Sequence, residues 1–359
     1  TGAISGAFGY WRETGRFVVF EAPSVILATG GIGKSFKVTS NSWEYTGDGQ
    51  SLAYEAGAEL IDMEFVQFHP TGMVWPPSVR GILVTEGWRG DGGLLRDASG
   101  HRFMPDYEPE KKELASRDVV SRRMEEHIRK GNAAKSRFGE HLWLDITLLG
   151  RQHIEHNLRE VKEICQYFLG IDPAEQWIPV RPAQHYTMGG VRTDHTGQTP
   201  ALRGLFAAGE AACWDMHGFN RLGGNSVAET VVAGMIVGEF IADFVASPEG
   251  ELDIPTAVLR EALAAERGKL DVLLKGSGRE QADTLKAEMQ QTMTDNVGIF
   301  RTGADLNAAV AELQALLERS RHIGLRHKVA GANPELATAY RTQKMLKLAL
   351  CVAYGAAQR

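Results

Sequence analysis

The sequence holds little cysteine: Cys165, Cys213 and Cys351 are its only three, far apart and without a CxxC pair. That scarcity argues against a disulfide framework, a zinc site or an iron–sulfur cluster within the chain, and it fits a reducing compartment. Long hydrophobic runs are also missing. The most apolar helical pattern, Val231 to Ala246, is interrupted by Glu239 and Asp243 and is too short to span a bilayer, so membrane attachment would need a partner. Positive charge is not in excess: a formal net charge of -6 gives no general basic field for nucleic acid and leaves anion binding to locally placed Arg and His. Internal repeats, low-complexity tracts and blocks of like charge are absent as well. The chain opens at Thr1 without an initiator Met or a leader pattern, and its last helical pattern, Ala337 to Ala357, runs towards Arg359 without a closing signal, so a fragment cut at both ends is expected. What is present, 43% hydrophobic composition over 359 residues, suffices for one large core or two to three ordinary ones.

Along the chain, residues 6 to 31 alternate like strands: one across Gly9 to Arg12, a turn at Thr14-Gly15, then Phe17 to Phe20 and Val25 to Ala28. Gly30 and Gly31 follow the last of these, a turn that suits either close approach of a ligand to the backbone or a tight strand exit. Thr46-Gly47-Asp48-Gly49 opens a short helix ending near Gly57, with Asp48 placed as a cap, a first-turn acid or a ligand-binding carboxylate. From Glu64 to about Arg181 the pattern becomes mixed loops and helices, before a strand-like segment from Gly204 to Ala208 restores the earlier character, which implies an inserted domain. An apolar helix from Asn225 to Ala246 follows Gly223-Gly224. Beyond Pro248 helical spacing dominates, including Ala304 to Arg321.

Four segments concentrate His, Arg or Glu beside glycine: Gln67-Phe68-His69-Pro70-Thr71-Gly72, Thr85-Glu86-Gly87-Trp88-Arg89-Gly90, His185-Tyr186-Thr187-Met188-Gly189-Gly190, and His217-Gly218-Phe219-Asn220-Arg221-Leu222-Gly223-Gly224-Asn225-Ser226. A single histidine in a loop is more often a hydrogen-bonded structural residue than a ligand-binding one. Four such segments together point to an interdomain cleft for a small dianion, since imidazole and guanidinium donors match carboxylates and Arg can grip one with two bonds.

These segments, with Leu114-Ala115-Ser116-Arg117-Asp118-Val119-Val120-Ser121-Arg122, resemble the succinate dehydrogenase and fumarate reductase flavoprotein family over nearly the whole chain. Ala211-Ala212-Cys213-Trp214-Asp215-Met216-His217-Gly218-Phe219-Asn220-Arg221 and Asn296-Val297-Gly298-Ile299-Phe300-Arg301-Thr302 are most similar to the menaquinol-linked bacterial fumarate reductases. The resemblance implies an FAD enzyme interconverting fumarate and succinate, in which hydride passes between flavin N5 and one substrate carbon while a proton passes to the other. It assigns Arg117 as the proton donor, with Glu86 and Arg89 relaying protons towards it. His69, Thr85, His185 and Arg221 would hold the carboxylates. A free guanidinium is almost always protonated, so the residue-level alternative for Arg117 is an electrostatic clamp. Asp48, Glu210, Ser226 and Val227 match positions that contact FAD, and the helix from Asn225 resembles the one whose positive end faces the flavin.

The implied fold class is α/β: part of a Rossmann-like FAD-binding domain (residues 1–63 and 184–247), an inserted α+β capping domain (64–183) and a C-terminal helical domain (248–359). No metal ligand set is expected. Implied partners are an iron–sulfur subunit and a membrane anchor with quinone, at the cytoplasmic face of a bacterial inner membrane. The chain departs from the family in lacking the N-terminal GxGxxG-type turn and the covalent flavin-linking His segment, so it is expected to be inactive by itself. L-aspartate oxidase shares the flavin fold but typically differs around the Arg221 motif, and a catalytically silent dicarboxylate-binding fragment is the third reading.

Overall fold

The computed structural model describes residues 2–77, 80–137, 139–251 and 256–359. They form two compact units: one made of the segment up to Lys37, Trp43–Val66 and the segment from Thr187, the other of Val38–Ser42 and Gln67–Tyr186.

The first unit opens with an antiparallel hairpin, Gly6–Trp11 against Arg16–Glu21, paired from Gly6 with Glu21 to Trp11 with Arg16. Its strands carry the predicted alternation. The short strand Val25–Leu27 pairs in parallel with Leu205–Ala207, so the two stretches of similar character in the sequence meet in one sheet. A second small sheet places Gly190–Arg192 between Ala212–Cys213 and Leu60–Ile61. Leu27, Ala53, Ala58, Val191, Leu205 and Ala207 form the core between these elements. The helix Asp48–Ala56 ends at Gly57 as expected, but its N-cap is Gly47; Asp48 occupies the first helical position and is not the cap.

Helices fill the rest of this unit, as the spacing predicts. Asn225–Ala246 has the predicted bounds, and Gly303–Ser320 and Pro334–Gln358 lie within a few residues of theirs. Two of the three starts carry their own signal: the Thr302 hydroxyl accepts the Asp305 amide at 3.2 Å, and Asn333 Oδ1 accepts the Leu336 amide at 3.2 Å with Pro334 next in line. Both helices then bury a leucine- and alanine-rich stripe that includes Leu306, Leu313, Ala339 and Leu346. Among the described residues no helix is long and apolar enough to cross a membrane.

The second unit is built on a sheet in the order Val66–Met73, Ile178–Thr187, Gly139–Asp145, Leu94–Arg96, with Ala134–Ser136 forming a hairpin on the third strand. The sequence reading of mixed loops and helices missed this sheet, although the implied α+β class contains one. The reason is chemical: Val66–Met73 carries His69, Pro70 and Gly72, and Ile178–Thr187 carries two prolines and His185, so neither shows clean alternation. Trp88, Leu95, Phe103, Val120, Met124, Leu142, Leu144, Ile178 and Val180 form its core, all with no exposed surface. The helix Arg117–His127 turns Val120 and Met124 into that core, and its Ser121 hydroxyl donates to the Phe68 carbonyl at 3.0 Å. That bond fixes the start of the helix, where Arg117 stands, against the strand that carries His69.

Candidate active site

Within the second unit, Glu86 is the hub. Its Oε2 accepts from an Arg117 terminal nitrogen at 2.7 Å, while Oε1 accepts from Arg89 and lies 3.8 Å from His69 Nε2. Arg117 also donates to Gln67 Oε1 at 3.1 Å. Arg89 donates to the carbonyls of Glu113 and Ala115 at 3.1 and 2.8 Å. One carboxylate is therefore suspended between two guanidiniums that are themselves held by neutral acceptors. Burial works to raise the Glu86 pKa, but the Arg117 hydrogen bond and the charges of Arg89 and Arg117 outweigh it and hold the carboxyl below its usual range. Burial also pulls Arg89 below the ordinary arginine range, against the opposing effect of Glu86.

His69 is fully buried. The Thr71 amide donates to its Nδ1 at 3.2 Å, and the Thr71 hydroxyl spends its proton on the Val84 carbonyl at 2.8 Å. Nδ1 is therefore an acceptor, so the neutral ring carries its proton on Nε2, the atom nearest Glu86. The His185 ring meets His69 edge to face at 5.3 Å. Thr85 is half-buried directly before Glu86. The structure thus brings His69, Glu86, Arg89, Arg117 and His185 into one contiguous cluster, drawn from segments far apart in the chain.

The first unit holds the remaining candidates. Glu210 accepts the Thr187 amide at 2.9 Å, and its carboxyl sits so close to Gly31 that a Cβ there would lie 2.3 Å from Oε1. Burial pushes the Glu210 pKa up to about 8; the Thr187 hydrogen bond and Arg221 oppose that rise, and Glu229 adds to it. Arg221 is itself buried and donates to the Leu222 carbonyl at 2.9 Å. Asp48 accepts from the Thr46 hydroxyl at 3.0 Å and pairs with Arg341 at 3.2 Å. Ser226 and Val227 stand in the first turn of the helix Asn225–Ala246, whose N-cap, Gly224, supplies no side-chain bond and whose first turn holds no acid.

Residue-level reading of the sequence gave no role to Gln67, although its segment was singled out, and did not notice Ser40, which meets His185. It also passed over Glu229, which accepts from Trp214 Nε1 at 3.3 Å and lies 2.8 Å from His217 Nε2. A signal for Glu229 existed: a carboxylate inside an apolar helical pattern calls for a buried partner.

A family model described as an FAD binding domain matches residues 1–227, and one described as the fumarate reductase flavoprotein C-terminus matches residues 286–359. The chain belongs to the fumarate reductase and succinate dehydrogenase flavoprotein family. A Helicobacter pylori fumarate reductase flavoprotein subunit is 50% identical over 96% of this chain and 51% of its own length. A Rickettsia bellii succinate dehydrogenase flavoprotein subunit is 36% identical over all of this chain and 60% of its own. The solved Escherichia coli quinol fumarate reductase superposes on the whole chain with a TM-score of 0.93 at 34% identity, covering 62% of that chain. This flavoprotein chain thus spans about half the length of the H. pylori relative.

FAD is the cofactor that the matched domain binds, and the first unit has features that fit it. Gln50 Oε1, Ser51 Oγ and Thr187 Oγ1 are buried polar atoms without a hydrogen-bond partner among the described residues. Such atoms are costly unless a further group completes them. The uncapped start of the helix Asn225–Ala246 offers backbone amides and a positive dipole end with no acid to neutralise it, which suits an anionic group.

Proposed function

We propose that the protein carrying this chain is the flavoprotein subunit that interconverts fumarate and succinate. The supporting observation is the Glu86 carboxylate held between Arg89 and Arg117 with His69 alongside, because a dicarboxylate needs donors and its reduction needs a proton delivered to carbon. In this reading Arg117 gives its proton to one alkene carbon of fumarate and takes it back from succinate in the reverse direction. Glu86, ionised and bonded to both guanidiniums, takes a proton from Arg89 and passes it to Arg117, and Arg89 recovers one from solvent. The burial that weakens Arg89's hold on its proton makes this handover easier. His69, Thr85, His185 and Arg221 are assigned to the substrate carboxylates, and the Nε2–H tautomer of His69 makes that ring a donor without requiring it to be charged. When bound, FAD supplies the hydride for the other carbon, and Asp48, Glu210, Ser226 and Val227 are the residues assigned to hold it.

We assign residues 1–63 and 184–247 to the FAD-binding domain, 64–183 to the capping domain and 248–359 to the helical domain. The redox partners in this reading are an iron–sulfur subunit and a quinone-binding membrane anchor. In this reading the protein sits at the cytoplasmic face of a bacterial inner membrane, in respiration. The 50% identity to a fumarate reductase subunit favours the reducing direction.

The test is anaerobic: a reduced viologen dye is presented to the protein and fumarate is added. Oxidation of the dye on addition is expected. A protein that ignores fumarate but oxidises L-aspartate contradicts the substrate assignment.

A further inference from the structure

The segment Val38–Asn41, outside the four segments rich in His, Arg or Glu, is bound along the strand that carries His185. The Gln184 amide donates to the Val38 carbonyl at 2.9 Å, and the Ser40 amide donates to the Gln184 carbonyl at 2.8 Å. The Thr39 hydroxyl donates to Gln184 Oε1 at 2.5 Å, and Asn41 Nδ2 donates to the His185 carbonyl at 2.8 Å. Held this way, Ser40 Oγ lies 2.7 Å from His185 Nδ1.

We propose that Ser40 is a positioning residue for His185, donating its hydroxyl proton to Nδ1 so that the neutral ring presents Nε2–H to a substrate carboxylate. The inference rests on the fumarate reading above for the identity of that carboxylate. The direction of the bond follows from the proton count. Ser40 Oγ has no other acceptor among the described residues, so donation to Nδ1 satisfies both groups, whereas the reverse bond leaves the hydroxyl proton without a protein partner. His69 reaches the same tautomer by a different route, through the Thr71 amide. The two rings, edge to face at 5.3 Å, thus form a matched pair of neutral Nε2–H donors. Neutral donors are suited to a dianion that must leave as readily as it enters, because each holds a carboxylate oxygen without adding a full ion pair.

The test uses the protein carrying this sequence with 15N-labelled histidine, and His185→Gln to assign the His185 resonances. Long-range proton–nitrogen correlation without substrate is expected to show an unprotonated Nδ1 and a protonated Nε2 in the wild type and in Ser40→Thr, which keeps the hydroxyl. In Ser40→Ala the ring is expected to populate the Nδ1–H tautomer, with the KM for fumarate raised about tenfold and kcat within about twofold of wild type. Recovery of both properties in Ser40→Thr separates positioning from a general loss of structure. A wild-type tautomer retained in Ser40→Ala, or a changed tautomer with no change in KM, overturns the proposal. A wild-type protein with no response to fumarate overturns the substrate reading instead, and the tautomer measurement still decides the Ser40–His185 bond.

Discussion

At Glu86 the electrostatics of the fold and the proposed chemistry meet in one side chain. Because its folded-state pKa is depressed by the two arginines, its ionised form stabilises the fold fully above the unfolded carboxyl pKa of about 4.3, and that stabilisation is lost as pH falls through the lower folded value. A Glu86→Gln variant should therefore show a weaker decline of melting temperature on acidification than the wild type. The same change removes the proposed relay, and kcat for fumarate is expected to fall about 10²- to 10⁴-fold with a smaller effect on KM. Glu210 has the opposite sign. Its pKa is raised to about 8, so its stabilising contribution is complete below about 4.3 and is lost as pH rises towards 8. Thermal melts at pH 5 and pH 8 should show Glu210→Gln raising the melting temperature at pH 8 by roughly 2–4 °C and changing it little at pH 5. His69, Glu86, Arg89 and His185 were legible in the sequence because each lies in a short segment beside glycine, whereas Arg117, in a segment without glycine, was singled out only by the family resemblance. Ser40 was not, since its partner is 145 residues away and a serine in a loop carries no local signal.

At the scale of elements, the active-site side chains are fixed by backbone that tolerates little change. Gly81 adopts φ +99°, and a Cβ there would lie 1.9 Å from the Thr39 carbonyl oxygen. Gly81→Ala should therefore displace the Val38–Asn41 segment, lowering stability by about 1–3 kcal/mol and raising the KM for fumarate in the same direction as Ser40→Ala. Chemical denaturation and steady-state kinetics on one preparation check both effects. An alanine at this position that leaves stability and KM unchanged would mean that the segment does not brace His185. The helices were readable because their apolar residues recur at helical spacing, while the caps at Thr302 and Asn333 that fix two of the starts were not singled out. The long strands of the second unit were not readable, because their alternation is broken: imidazole, proline and glycine occupy positions where a regular strand would carry branched apolar side chains.

At the scale of the molecule, the chain divides into one unit that carries the FAD-contact candidates with Arg221, and one that carries the Glu86 network. Composition and periodicity could indicate an interrupted domain, since Val25–Leu27 and Leu205–Ala207 share a character that the segment between them lacks. They could not reveal that the two strands pair, which depends on contacts 180 residues apart. The parallel pair, the uncapped helix start and the unpartnered Gln50, Ser51 and Thr187 oxygens are consistent with a cofactor-binding unit, while the proposed proton delivery draws on residues of the other. The proposed mechanism stands or falls on Arg117 as the group that delivers that proton. Its decisive comparison is wild type against Arg117→Ala for fumarate-dependent oxidation of reduced viologen, at matched FAD content. The variant is expected to retain FAD and to lose the fumarate response by at least about a thousandfold; a variant that keeps substantial activity would contradict the mechanism and leave Arg117 as an electrostatic clamp.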